Sequence, residues 1–144
     1  MIVEVMNIKN AEAYATQSHK EQSIIISITS CGGFDAFIIP TKVSGIIDVL
    51  HVKFNDTDSK NYLDGGITRS DAKKICDFVN KYKNIPILDK IIVHCEAGQS
   101  RSAGVAAAIM KYLNNDDTPI FNNPMYKPNM LCYRTVLDAL FEEE

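Results

Sequence analysis

Short unbroken apolar runs alternate along the chain with longer stretches in which apolar residues recur every three or four positions. Ile2 to Met6 reads as a short strand. Ile8 to Ser18 predicts a helix capped by Asn7, with Ala11, Ala13, Tyr14 and Ala15 inside it. Ser23 to Thr29, SIIISIT, is short and β-branched and predicts a buried strand that stops at the flexible Ser30-Cys31-Gly32-Gly33. Phe37 to Ile39 predicts a further short extended piece ended by Pro40, and Ile46 to Phe54 contains a strand placed from Val49 onward. The polar stretch Asn55 to Gly66, NDTDSKNYLDGG, is a long exposed loop of the kind that often carries function.

In the second half, Ser70 to Tyr82 is a helix with Ile75, Cys76, Phe78 and Val79 as its apolar face, and Ile85-Pro86 marks the connection after it. Lys90 to His94 is a buried strand. A loop with Gly and Ser follows, then an Ala-rich helix from Ser102 to Leu113. Asn114 to Asn129 holds Pro119, Pro124 and Pro128 and reads as irregular. A last helix runs from Asn129 to Glu142, with Leu131, Val136, Leu137, Leu140 and Phe141 facing inward and an acidic end after it. Strands alternating with helices predict an α/β fold, a central mostly parallel sheet flanked by helices. No composition break divides the 144 residues, so one domain, 1–144, is expected, with the Pro/Asn-rich 114–129 as a surface excursion.

Composition narrows the function. The chain is 46% hydrophobic and 23% charged, which fits a globular protein rather than a disordered one. Fifteen Lys+Arg against eighteen Asp+Glu give a net charge of −3, which points away from nucleic acid as a partner. No apolar run is long enough for a membrane span, and Met1 to Val5 shows no secretory pattern, so a cytoplasmic location is expected. Cys31, Cys76, Cys95 and Cys132 lie far apart with no CxxC, which argues against a zinc ribbon or a dithiol. Cys76 and Cys132 read as packing residues, and Cys31 as a thiol with an open redox role. His19 and His51 make no metal pair, and His51 reads as a satisfied structural histidine; no metal or cofactor is expected.

The informative segment is His94-Cys95-Glu96-Ala97-Gly98-Gln99-Ser100-Arg101-Ser102, between a buried strand and a helix. A tight loop there can aim successive backbone N–H groups at one point, and the helix start adds more. Gly98 permits the tight path. Arg101 offers a planar fork for phosphate oxygens, and Cys95 sits where the same dipoles stabilise a thiolate. A cysteine and an arginine at this spacing occur by chance, and a cysteine ending a strand is usually a small hydrophobe. His94, Gly98, Ser102 and the strand–loop–helix setting raise the signal above that background.

HCEAGQSRS resembles the HCxxGxxR[ST] signature of the cysteine-dependent protein phosphatases, most closely their dual-specificity branch, and the resemblance runs from Ser23 to the last helix. It implies a metal-independent phosphomonoester hydrolase, of protein tyrosine or dual-specificity type, acting through a cysteinyl-phosphate. The family roles fall on Cys95 as nucleophile, Arg101 on the phosphate oxygens, Ser102 assisting thiolate departure and His94 orienting the loop. Residues 95–101 would form the phosphate-binding loop, and phosphate or sulfate is expected to bind there. Pro128-Asn129 resembles the PN stretch that packs the last helix behind the loop. The general acid is an Asp upstream. Asp56, in Asn55-Asp56-Thr57, is preferred, with Asp58 and Asp64 as alternatives.

Two departures from the family pattern stand out. The spacing from Asp56 to Cys95 is long, so Lys60 to Gly66 is expected to be an insertion over the cleft. Ala97 replaces the Glu that usually anchors the Arg, so Arg101 needs another anchor, and a carboxylate elsewhere in the chain is the candidate. Glu96 and the absence of lysine in the loop disfavour polyanionic substrates. A phosphorylated protein or a small phosphomonoester fits better, with phosphotyrosine the first test substrate. Tyr14, Tyr62, Tyr126 and Tyr133 are candidates for the pocket border, and Arg69 and Arg134 read as solvated or capping residues. The rival readings are a phosphate-binding pseudophosphatase, a phosphatase for a small-molecule or lipid phosphate and, further off, an arsenate reductase or rhodanese-type thiol enzyme. Oligomeric state is not legible.

Overall fold

The structure, a computed structural model, describes residues 1–32 and 44–142. The extended piece expected at Phe37 to Ile39 lies outside them. The described strands are β1 (Ile2–Met6), β2 (Ser23–Thr29), β3 (Ile46–Lys53) and β4 (Lys90–His94). They form one sheet in the order β1-β4-β2-β3, and every pairing is parallel. β2 and β4, at the centre, are buried along their whole length. That is why their sequences are apolar runs rather than alternating ones.

The helices are α1 (Ile8–Ala15), α2 (Arg69–Tyr82), α3 (Arg101–Asn114), α4 (Thr118–Phe121) and α5 (Met130–Glu142), with a 3₁₀ turn at Tyr62–Asp64. Ile24, Ile26 and Ile28 of β2 pack with Ile75, Cys76 and Val79 of α2, the alanines of α3, and Cys132, Val136 and Leu140 of α5 in the main core. Thr68 starts α2 with a reciprocal capping box to Asp71. Among the described residues no helix is long and apolar enough to cross a membrane.

Several sequence expectations shift. α1 ends at Ala15 rather than Ser18, because the Thr16 hydroxyl turns back onto the Ala13 carbonyl. β3 begins at Ile46, where it pairs with Ser23 through a register irregularity. The region 114–129 contains the short helix α4, with Pro119 in its first turn. Phe141 is 47% exposed and sits edge-on to Tyr112 instead of pointing into the core. His51 lies exposed on strand β3. Cys76 and Cys132 are buried, and Cys31 is exposed.

The sheet's topology also fixes where chemistry can occur. All four strands run the same way, so Asn7, Ser30, Phe54 and Cys95, each just past a strand's last residue, gather at one edge. In open parallel sheets this carboxyl edge is where ligands bind.

Candidate active site

Residues 95–100 connect β4 to α3 at that edge. The loop is held from outside by its carbonyls. Glu96 O accepts from Ile8 N at 3.1 Å, Gln99 O from Lys127 N at 2.9 Å and Ser100 O from Asn129 N at 3.0 Å. Among the described residues the amides of Glu96, Ala97, Gly98, Gln99 and Ser100 donate to no backbone or side-chain acceptor. Carbonyls tied outward and amides left over are the arrangement that an anion receptor requires, and the start of α3 follows directly. Gly98 makes this path possible. Its φ is +68°, and a Cβ there would stand 2.6 Å from Asn7 N and 2.8 Å from the Met6 carbonyl carbon.

Cys95 lies at the base of the loop, 2% exposed, with Sγ 3.0 Å from Ser102 Oγ. Arg101 is 5% exposed. Its Nη1 donates to Ser30 Oγ at 2.9 Å and to Phe54 O at 2.8 Å. The expected carboxylate anchor is therefore corrected: the Arg101 guanidinium is held by two neutral oxygens from the ends of β2 and β3. Neutral acceptors fix the fork without cancelling its charge, which stays available to an oxyanion. His94 is fully buried, with Nε2 2.6 Å from Ser27 Oγ and Nδ1 3.3 Å from the Cys95 carbonyl. Burial pushes its pKa from 6.5 down to about 4; the bond to the Cys95 carbonyl opposes this, and the charges of His51 and Arg101 add to it.

Asp56 reaches the loop from the end of β3. Ser100 Oγ donates to Asp56 Oδ1 at 2.7 Å, and Asn129 Nδ2 donates to the same oxygen at 2.9 Å. Asn129 also donates to Thr57 O at 3.0 Å and accepts from Cys132 N at 2.9 Å, which starts α5. Asn129 thus joins the loop after β3 and the last helix through its side chain, and the 95–100 loop through its backbone N–H. A cleft of about 410 Å³ opens there, lined by Asp56, Thr57, Asp58, Ser100, Lys127 and Asn129 among others. Asp58 borders the cleft, but neither it nor Asp64 hydrogen-bonds the phosphate loop among the described residues. Asp64 ends the 3₁₀ turn, as a turn residue would.

The stretch Lys60 to Gly66 does not roof this cleft. Lys60, Asn61, Tyr62 and Gly66 instead form one wall of a separate cavity of about 760 Å³ against α2 and α5, to which no residue of 94–102 contributes. Tyr14 stacks on His19, Tyr62 is exposed and Tyr133 donates to Asp117, so these three lie apart from the cleft lining. Arg69 makes an exposed ion pair with Glu142, and Arg134 is exposed. Among the described residues no group of three or more His, Cys, Asp or Glu side chains is placed to hold a metal ion.

The model of the Rit1 DUSP-like domain matches residues 57–131, just over half of the chain. The chain belongs to this family. The match takes in the whole phosphate loop, Asp58, Asp64 and Asn129 but stops one residue short of Asp56. Solved structures agree on the fold. Human DUSP28 is 13% identical with a TM-score of 0.62, over 98% of this chain and 92% of that one. PTPMT1 in complex with PI(5)P is 17% identical with a TM-score of 0.61, over 98% and 91%. The human tyrosine phosphatase-like serine/threonine/tyrosine-interacting protein is 19% identical with a TM-score of 0.56, over 85% and 77%. No curated protein matches. The chain is thus a DUSP-like domain with the dual-specificity phosphatase fold, its phosphate-loop sequence set in that fold's strand–loop–helix.

Ser30, Phe54 O, Ser27 and Asn129 escaped sequence reasoning as parts of the site. Only Asn129 carried a signal, through the Pro128-Asn129 pair before a helix.

Proposed function

We propose that the chain, as one catalytic domain over 1–144, hydrolyses phosphomonoesters without metal through a cysteinyl-phosphate. The observation that carries this reading is the meeting at one loop of three separate segments: Cys95 from β4, Arg101 backed by the ends of β2 and β3, and Asp56 hydrogen-bonded to Ser100. In the first step the Cys95 thiolate attacks phosphorus. The equatorial oxygens take the loop amides and Arg101, and the P–O bond to the leaving group breaks. Both donors to Asp56 land on Oδ1, so Oδ2 is the oxygen that carries the proton to the departing alkoxide or phenoxide. In the second step Asp56 takes a proton from water as the water oxygen attacks phosphorus. The S–P bond breaks, Ser102 Oγ–H donates to the leaving sulfur, and inorganic phosphate is released.

The preferred substrate is a phosphorylated protein side chain, with phosphotyrosine as the first to try, since a phenoxide leaves readily. A small or lipid phosphomonoester is the second reading. It is supported by the polar lining of the cleft beside Asp56, and PTPMT1, a fold neighbour, was solved with PI(5)P. A reducing setting such as the cytoplasm suits a free nucleophilic thiol. The test is an aryl phosphate assay paired with phosphate binding. Cys95→Ser is expected to abolish turnover and keep binding, and Arg101→Ala to lose both. Binding without turnover in the wild-type protein would make it a pseudophosphatase.

A further inference from the structure

Each carbonyl that ties the phosphate loop has its donor outside the loop: Ile8 N for Glu96, Lys127 N for Gln99 and Asn129 N for Ser100. The carbonyl of Cys95 itself has a different kind of partner, His94 Nδ1 at 3.3 Å. A carbonyl oxygen only accepts, so Nδ1 carries the proton of that bond. Burial keeps the ring neutral, its pKa down to about 4, so Nε2 is a lone pair. The group facing Nε2 is Ser27 Oγ at 2.6 Å, which must therefore be the donor. Ser27 stands opposite His94 in the β2–β4 register, and both side chains are fully buried.

We propose that Ser27 is a positioning residue for Cys95, donating to His94 Nε2 and so fixing the imidazole tautomer that holds the Cys95 carbonyl out of the anion cradle. The inference rests on the phosphatase reading for its consequence in catalysis, but its geometry is independent of it. A carbonyl turned inward would set a negative dipole where an oxyanion and a thiolate have to sit. Without the Ser27 hydroxyl, Nε2 stays an unpaired buried acceptor or takes the proton from Nδ1. In the second case two acceptors face each other across the Nδ1 to Cys95 O contact, and the carbonyl moves. Charged and titratable groups near this relay include His51 and Arg101 toward His94, and Cys132 toward Cys95, whose sulfur also faces the Ser102 hydroxyl.

The imidazole nitrogens report this directly. In ¹⁵N-labelled wild-type protein near neutral pH, His94 is expected as the Nδ1–H tautomer; the Nε2–H tautomer would overturn the proposal whether or not the protein is an active phosphatase. In Ser27→Ala, the pH midpoint for Cys95 alkylation by iodoacetamide should move upward and kcat/KM on an aryl phosphate should fall about tenfold, the scale of one buried hydrogen bond. Ser27→Thr, which keeps the hydroxyl, should restore both. Ser23→Ala removes another fully buried serine of β2 and should leave the midpoint in place. An unchanged midpoint and tautomer in Ser27→Ala would refute the assignment, and if that variant does not fold, the wild-type tautomer decides.

Discussion

The phosphate loop and the acid-bearing loop meet at Ser100, but opposite forces hold them. Residues 95–100 run between two buried elements, with Cys95 and Arg101 almost fully covered and three carbonyls pinned by neighbouring backbone amides. Asp56 and Asp58 are exposed, and Asp56 is held by side-chain hydrogen bonds, one from Ser100 of the phosphate loop and one from Asn129 before α5. A receptor for an oxyanion has to be preformed, since its value lies in dipoles that need no rearrangement. A general acid has to arrive with its proton and give room to a leaving group, which a loop held by a few polar contacts allows. Substitutions in the first region are therefore expected to damage binding and chemistry together. Those in the second should spare phosphate binding and damage the two proton transfers that Asp56 carries, to the leaving oxygen and from the attacking water.

The sharpest separation comes from Asp56→Ala. Its kcat/KM, which reports the step that expels the leaving group, is expected to fall by about 10²–10⁴-fold on an alkyl phosphate, the usual worth of a positioned acid, and far less on an aryl phosphate with a good leaving group. A uniform loss across leaving groups, or none, would shift the role toward Asp58. Next is Gly98→Ala. The added Cβ meets main-chain atoms of Met6 and Asn7, and the left-handed φ of +68° disfavours alanine. Displacing the loop by even 1 Å should cost on the order of 10²-fold in kcat/KM, and phosphate affinity should fall with it on every substrate. Unchanged phosphate binding in Gly98→Ala would mean that the amide cradle is not the receptor.

The remaining effect is on stability rather than on turnover. The folded protein resists protonating His94 until about pH 4, whereas the unfolded chain does so near 6.5. The unfolded state therefore binds more protons between those values, and stability is lost as pH falls from 6.5 to 4, by up to about 3 kcal/mol from this residue. Urea unfolding at pH 7 and pH 4.5 should show a smaller difference in His94→Asn than in wild type. Because His94 in the folded protein stays neutral down to about pH 4, its own titration should not appear in a pH–rate profile between pH 5 and 8.

The two loops also differ in how far the sequence disclosed them. Cys95, Gly98, Arg101 and Ser102 are contiguous, so the chemistry of the first is written in one stretch between a recognisable strand and helix. What holds Arg101 is not contiguous. Ser30 and the Phe54 carbonyl reach it only because parallel strands bring their ends to one edge, and no local pattern marks a serine or a carbonyl for that task. Asn129 shows the intermediate case: its PN setting pointed to a helix start, but its bonds to Asp56 and Thr57 depend on how α5 packs. The stretch Lys60 to Gly66 misled for the same reason. Length and polarity mark it as a loop, yet only the packed structure shows that it lies against α2 and α5, where its residues wall a cavity with Arg69, Ala72, Leu131 and Thr135. The strands β2 and β4, by contrast, fall within their expected limits, because burial on both faces leaves an apolar run with sharp ends.

The central claim is that the Cys95 sulfur takes the phosphoryl group. Acid-quenching the protein during turnover of an aryl phosphate and mapping its peptides by mass should find phosphate on Cys95, and none on any peptide of Cys95→Ser. Turnover that persists in Cys95→Ser, or phosphate carried on another residue, would contradict the account.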